Sequence, residues 1–284
     1  MIKKLLKNHI IKNVPDNKVA ILLSGGLDSI SVGLAASNAG KTVHAYSFHL
    51  DTHKSYDFLK AEEVSNLLGW KFTGIVVPTT KLVDDWHRLV KHGCRKKTHF
   101  ETVFPFLYVY PEIVEKYVLS GWIADAYFQP GKTAAMRYTS FAKAKKYMKA
   151  VHEGKAPRVT WTQHRLNYID GDCAGLKEHT RLTESYNKIH ITPYGDKKIR
   201  ELLFKKTWQE LNKPRQKEII RKDFTELEKC GNIRQHQNLH LNAGIDKLFE
   251  TLLNNSEINF NNRNRMMDVC RDWYKKEQDG ILPI

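Results

Sequence analysis

The sequence predicts an α/β fold: a parallel sheet with helices on both faces and a helical C-terminal extension. Three observations predict it. Residues 19–23, VAILL, form a continuous apolar run of strand length, the pattern of a strand buried on both faces. Further runs of this kind alternate with amphipathic stretches as far as Phe128, as in a sheet built from strand–helix–strand units. Beyond Phe128 the texture becomes Lys-rich, polar and mostly helical.

The elements follow in chain order. Residues 1–14 space apolar side chains among Lys and Asn and read as a short amphipathic helix, with no small-residue cleavage site behind it. After the first strand, residues 29–38 have helical spacing and stop before Gly40. Residues 43–48 are a second strand, and residues 56–68 an amphipathic helix closed by Gly69. Residues 72–77 supply a third strand, residues 103–116 a helix interrupted near Pro105 and Pro111, and residues 117–120 a short buried strand. Residues 138–153 read as a Lys-rich helix, 154–172 as irregular with strand-like pieces, and 197–253 as helical segments with polar breaks. The expected division is an N-terminal helical segment at 1–14, a nucleotide-binding domain at 15–224 and a helical extension at 225–284.

Composition bounds the function. The 284 residues carry 46 Lys and Arg against 31 Asp and Glu, a net charge of +15. Such a balance concentrates anions, whether nucleotides, nucleic acid or acidic surfaces, without choosing among them. The basic runs at 95–97, 143–149, 205–206 and 213–222 are dispersed and read as solvated helix faces. The four cysteines, Cys94, Cys173, Cys230 and Cys270, form no CxxC pair, which fits a reducing compartment. No apolar span is long enough for a membrane helix, so a soluble cytoplasmic protein without a membrane partner is expected.

The sharpest signal is Ser24-Gly25-Gly26-Leu27-Asp28-Ser29, set between the first strand and its helix. Two glycines allow a tight turn and close ligand approach, and the helix that follows presents its positive end, so the loop suits phosphate. The hydroxyls of Ser24 and Ser29 can add donors. Asp28 would repel bare phosphate, so it is expected either to hold a magnesium ion or to cap the helix. The loop has neither a Walker ending nor a GxGxxG, and positive charge must come from elsewhere.

The string SGGLDS matches the SGGxDS loop of the ATP pyrophosphatase (PP-loop) superfamily, a resemblance that implies ATP split into AMP and pyrophosphate. Three later segments resemble the synthetase domain of asparagine synthetase and its β-lactam synthetase relatives. They are Tyr46-Ser47-Phe48 with the helix closing on Leu68-Gly69, Ser120-Gly121-Trp122-Ile123-Ala124-Asp125, and Arg215-Gln216-Lys217-Glu218. The resemblance covers residues 19–224 and implies an adenine nucleotide α-hydrolase-like (HUP) sheet. It also implies that Leu22, Ser24, Gly25, Gly26, Asp28, Ser29, Ser47, Phe48, Ser120 and Gly121 bind ATP. By the same resemblance Asp28 and Asp125 would converge on Mg2+, and Lys217 and Asp125 would act in catalysis, Lys217 supplying the cation that the loop lacks.

Two departures qualify the resemblance. Where the family has a glutamate this chain has Trp122, and where it has a second acid this chain has Ala126, so a candidate proton acceptor is missing. Trp122 is expected to wall the substrate pocket, the proton leaving through Glu101, Glu178, Glu184 or a histidine. The chain also opens on Met1-Ile2-Lys3 instead of a processed cysteine and a glutaminase domain, so ammonia, a substrate amine or a separate subunit is expected to supply the nucleophile. The implied activity is AMP-forming ligation of a small-molecule carboxylate, or amide-type oxygen, to ammonia or an amine. The alternatives are a nucleic-acid-modifying enzyme of the same superfamily, acting on a tRNA or DNA base, and a catalytically inactive ATP-binding protein. His49 to His53 reads as a solvated loop rather than a metal site, Cys173 as a small buried thiol, and Trp161, Trp208 and Trp273 as core.

Overall fold

The computed structural model describes residues 1–94, 97–128, 153–154, 175–206, 208–234 and 239–253. Helix α1 (Ile2–Asn13) leads into β1 (Lys18–Leu22), α2 (Leu27–Asn38), β2 (Thr42–Leu50), α3 (Tyr56–Leu68) and β3 (Lys71–Val77). Then come α4 (Leu82–Lys91), α5 (Lys97–Val103), α6 (Phe106–Glu112), β4 (Tyr117–Leu119) and α7 (Ala124–Phe128). The later elements are α8 (Leu176–Ser185), β5 (Ile189–Ile191), α9 (Lys197–Phe204), α10 (Trp208–Asn212), α11 (Glu218–Asp223), α12 (Leu239–Asn242) and α13 (Ile245–Leu253). All five strands are parallel, in the order β3-β2-β1-β4-β5. This is the expected adenine nucleotide α-hydrolase-like sheet, covered by helices on both faces.

Alternation along the strands divides the interior in two. Val19, Ile21, Val43 and Ala45 face one side, where α1 lays Ile2, Leu6 and Ile10 on the buried face of α2, and Ala61 and Val64 of α3 join the same cluster. Leu227, Cys230 and Ile233 close the same cluster from the C-terminal side. Ala20, Leu22, Tyr46 and Phe48 face the other side, against Trp86 of α4, Phe100 of α5 and Phe106 of α6. Ala243, in the turn after α12, and Ile245, Phe249 and Leu252 of α13 complete that second cluster, the Phe249 ring lying 5.1 Å from Phe100. Each fully buried aromatic or branched side chain here contributes about 1.5–3 kcal/mol.

The expected first four strands and first helices are present with small shifts of boundary. Ser55 caps α3 by accepting from Phe58 N–H, and Gly69 ends it in the left-handed conformation. The stretch 103–116 differs from expectation. One helix ends at Val103, a second runs from Phe106 to Glu112 with Pro111 inside it, and 113–116 is not helical. Pro111 lacks the N–H that would bond the Leu107 carbonyl, and that carbonyl accepts from Arg88 at 3.5 Å instead. Helices α4, α5, α7 and α8 and strand β5 have no counterpart in the sequence reading. β5 is three residues long, too short for period-two alternation to register. The Lys-rich helix and the irregular stretch expected between 138 and 172, together with Cys173, Cys270, Trp161 and Trp273, lie outside the described residues, as does the Trp208 side chain. Cys94 and Cys230 are buried. Among the described residues no helix is long and apolar enough to cross a membrane.

Candidate functional site

β1 lies between β2 and β4, and the chain leaves it toward opposite edges of the sheet. The crevice beyond the carboxyl ends of β1 and β4 is therefore the topological switch point, where open α/β sheets take their ligands. The glycine loop and the Ser120-Gly121 turn meet there. A Cβ on Gly121 would lie 2.8 Å from the Asp28 carbonyl carbon and the Ser29 nitrogen, so the two turns touch through backbone. Gly25 has φ of +67°, and a Cβ there would sit 2.6 Å from Lys60 Cβ of α3.

The loop is braced from within. Ser29 Oγ donates to the Gly26 carbonyl at 3.0 Å and accepts from Ser24 N–H at 3.2 Å, while Ser24 Oγ accepts from Gly26 N–H at 3.4 Å. Both hydroxyls thus hold the turn in shape, where the sequence suggested only added ligand donors. Gly26 is the N-cap of α2 and brings no side-chain cap, which leaves the first-turn amides facing the loop. Asp28 does not cap the helix.

Asp28 is engaged instead by Lys217. The Lys217 ammonium donates to Asp28 Oδ2 at 2.5 Å and to Asp125 Oδ1 at 2.7 Å, so three residues spread over 189 positions converge at one point. In the basic run 213–222, Lys213, Arg215 and Lys222 are exposed as expected, but Lys217 is 3% exposed. Burial raises the Asp28 carboxyl to about 6, Lys217 opposing the shift and Asp125 adding to it. Burial works against the Lys217 charge, but the two carboxylates outweigh it and hold the ammonium above its ordinary value. Asp28 Oδ1 is buried without a hydrogen-bond partner. That orphaned oxygen beside a second carboxylate suits Mg2+, which is commonly held by one or two carboxylates plus substrate phosphates. No group of three or more metal-ligating side chains occurs among the described residues.

The backbone at Lys217 is itself unusual, with φ 58° and ψ 33°, a left-handed conformation that costs a side-chain-bearing residue about 1–2 kcal/mol. Its N–H donates to Asn212 Oδ1 at 3.0 Å, and Asn212 Nδ2 donates to the Phe128 carbonyl at 3.1 Å. Phe128 ends α7, the helix whose first turn carries Asp125, and its ring lies 5.8 Å from Lys217 Nζ.

Trp122 packs against His179 of α8, ring centroids 4.6 Å apart, with His190 of β5 at 6.4 Å. His190 Nε2 shares a 2.8 Å hydrogen bond with Ser120 Oγ, and His179 Nε2 a 2.6 Å bond with Tyr110 OH. His179 Nδ1 is buried without a partner. Burial lowers His190 to about 4, and burial together with His190 lowers His179 far below its ordinary value, so both rings are neutral near pH 7. Of the candidate proton acceptors, Glu101 lies 3.4 Å from Lys97, Glu178 lies 3.5 Å from His99 with one oxygen unpartnered, and Glu184 is exposed. Two of the polar groups beside Trp122 are the rings of His179 and His190.

Leu22 and Phe48 face the second cluster, and Ser47 points to the opposite side of β2. Any shared contact of Ser47 and Phe48 with one ligand therefore runs through backbone. In the His49 to His53 loop, Asp51 accepts from the Thr79 N–H and hydroxyl, and His49 Nδ1 bonds the Leu50 carbonyl. Sequence reasoning missed Asn212, His179, His190 and Tyr110. An Asn five residues before Lys217, and single histidines on unrelated elements, give no periodic or spaced signal.

The family model described as asparagine synthase matches residues 2–235. No curated protein matches the chain in sequence. Among solved structures the chain is similar to NMN synthetase from Francisella tularensis, at 15% identity and a TM-score of 0.33, over 68% of this chain and 97% of that one. It is also similar to a predicted subunit of tRNA methyltransferase from Methanocaldococcus jannaschii, at 18% identity and a TM-score of 0.31, over 66% and 75% of the two chains. A third likeness is to the U34-tRNA thiolase NcsA from Methanococcus maripaludis with its [4Fe-4S] cluster, at 11% identity and a TM-score of 0.30, over 99% and 80%.

Proposed function

Since this chain belongs to the asparagine synthase family, we propose that it is an ATP-dependent ligase that adenylates an oxygen of a small substrate for attack by ammonia or an amine. The observation that carries the reading is the meeting of Lys217 with Asp28 and Asp125 at the switch point, directly beside the glycine loop.

A carboxylate is a poor electrophile. In the proposed first step its oxygen attacks the α-phosphorus of ATP, the bond from that phosphorus to the bridging oxygen breaks, and pyrophosphate leaves with the electron pair. The loop amides of residues 25–29 and the positive end of α2 hold the phosphates. Asp28 and Asp125 would hold Mg2+, which supplies charge neutralisation for the leaving pyrophosphate. Two carboxylates and one ammonium sum to one negative charge, which by itself would repel a polyphosphate. In this reading Lys217 turns from the carboxylates toward the phosphates as nucleotide enters, placing a buried cation where negative charge develops. In the second step the amine attacks the acyl carbon of the mixed anhydride, AMP departs and one proton is released. Trp122 walls the acceptor side. The neutral pair His179 and His190 lines it, and no carboxylate stands at the Trp122 position.

Incubation with ATP labelled at the α-phosphate, Mg2+, ammonia and a panel of carboxylic acids tests the proposal. Labelled AMP and pyrophosphate that depend on an acid support it, and ADP as the product overturns it.

A further inference from the structure

Lys217 reaches the two aspartates from a backbone in a left-handed conformation, and one buried side chain accepts from its N–H. Asn212 is 2% exposed at the end of α10. Its oxygen faces the Lys217 N–H and its nitrogen faces the Phe128 carbonyl. The reverse orientation would set donor against donor and acceptor against acceptor, so the two partners fix the carboxamide. Two further side-chain ties on this loop involve more exposed residues. Arg215 Nε bonds Glu218 at 3.0 Å from a side chain 65% exposed, and Arg221 bonds the Gln216 carbonyl at 3.4 Å. Lys217 is moreover the N-cap of α11 with no side-chain cap of its own.

We propose that Asn212 is the positioning residue of Lys217, clamping the 213–217 loop to the end of α7 so that the ammonium is delivered to Asp28 and Asp125 in fixed register. One carboxamide thereby makes Asp125, at the start of α7, and Lys217 parts of a single rigid unit. What the register serves rests on the proposed function; the clamp itself does not.

The test is lysine acetylation by a water-soluble succinimidyl ester, read residue by residue by mass spectrometry, in nucleotide-free wild type, Asn212→Ala and Asn212→Asp. Lys60 is the internal control, because it is 4% exposed and its ammonium is held by the Cys230 carbonyl and Glu63, away from Asn212. Lys217 should react about tenfold faster or more in N212A, and at an intermediate rate in N212D, which keeps the acceptor for the Lys217 N–H, while Lys60 stays protected. Unchanged Lys217 labelling in folded N212A overturns the proposal. So does a parallel rise at Lys60, or failure of both variants to fold, since either makes Asn212 a support of the whole fold. A kinetic arm tests the register: kcat for pyrophosphate release should fall about a hundredfold in N212A, with the KM for ATP changed less than about threefold. Selective labelling of N212A without turnover by wild type on any acid would sink the ligase reading and leave the clamp standing.

Discussion

Replacing Lys217 by Met separates what the lysine does for the fold from what it does for chemistry. With Lys217 present, the Asp28 carboxyl stands at about 6 against an ordinary 3.8, so its ionised form already weakens the fold by about 3 kcal/mol. A carboxyl raised in this way has its most favourable balance below pH 3.8. It loses stability as pH rises to its folded value, and then contributes no further slope. In the wild type that loss is complete near pH 6. Removing the ammonium takes away the main influence holding the carboxyl down, so in K217M the loss continues between pH 6 and pH 8, at up to about 1.4 kcal/mol per pH unit. The gap between wild type and K217M should therefore widen by about 1–3 kcal/mol over that interval. Adding Asp28→Asn removes the stranded carboxylate and should recover most of the lost stability, but no AMP formation. Urea denaturation in magnesium-free buffer at pH 6, 7 and 8 reads the first part and the labelled-ATP assay the second. A gap that is equal at pH 6 and pH 8, or a double variant no more stable than K217M at pH 8, would refute the reasoning.

Three further outcomes are expected. Gly25→Ala sets a Cβ 2.6 Å from Lys60 Cβ at a φ of +67°, so thermal unfolding should show a loss of about 2–4 kcal/mol and ATP should no longer raise the melting temperature. Tyr110→Phe leaves both ring nitrogens of buried His179 without a partner and should cost about 1–3 kcal/mol in urea, with no dependence on nucleotide. Glu115 is buried, which would raise its pKa, but hydrogen bonds from His44 and Tyr46 outweigh burial and hold it below its ordinary value. Its contribution is present above about pH 4.5 and lost as pH falls below it, so Glu115→Gln should weaken the fold at neutral pH and flatten its acid unfolding curve.

The fold was legible where the pattern was long. Residues 19–23 are apolar on both faces and 43–48 mostly so, and α3 carries both a Ser55 cap and a Gly69 stop, so the doubly covered sheet shows in the sequence. β5 was not legible, because three residues hold no period and its β4 partners lie 72 positions away. The loop residues Ser24 to Ser29 announce themselves because one turn must satisfy several backbone demands in consecutive positions. Lys217 is the opposite case. Nothing local distinguishes it from Lys213 or Lys222, and only its place in an ordered set of segments marked it out, while its burial and its two carboxylates are tertiary facts. Asn212 and the His179–His190 pair stayed hidden for the same reason, since a partner brought near by packing leaves no trace in spacing.

The closing of the second core by Phe249 and its neighbours has a consequence for biosynthesis. Family similarity ends at residue 235, yet Ala243, Ile245, Phe249 and Leu252 are what shield Trp86 and Phe100 from water. A nascent chain would thus hold a sticky aromatic face open until residues 243–252 leave the ribosome, a state prone to self-association. Fragments trimmed to the matched region should be recovered as aggregates, whereas chains extended through residue 253 can bury that face within themselves.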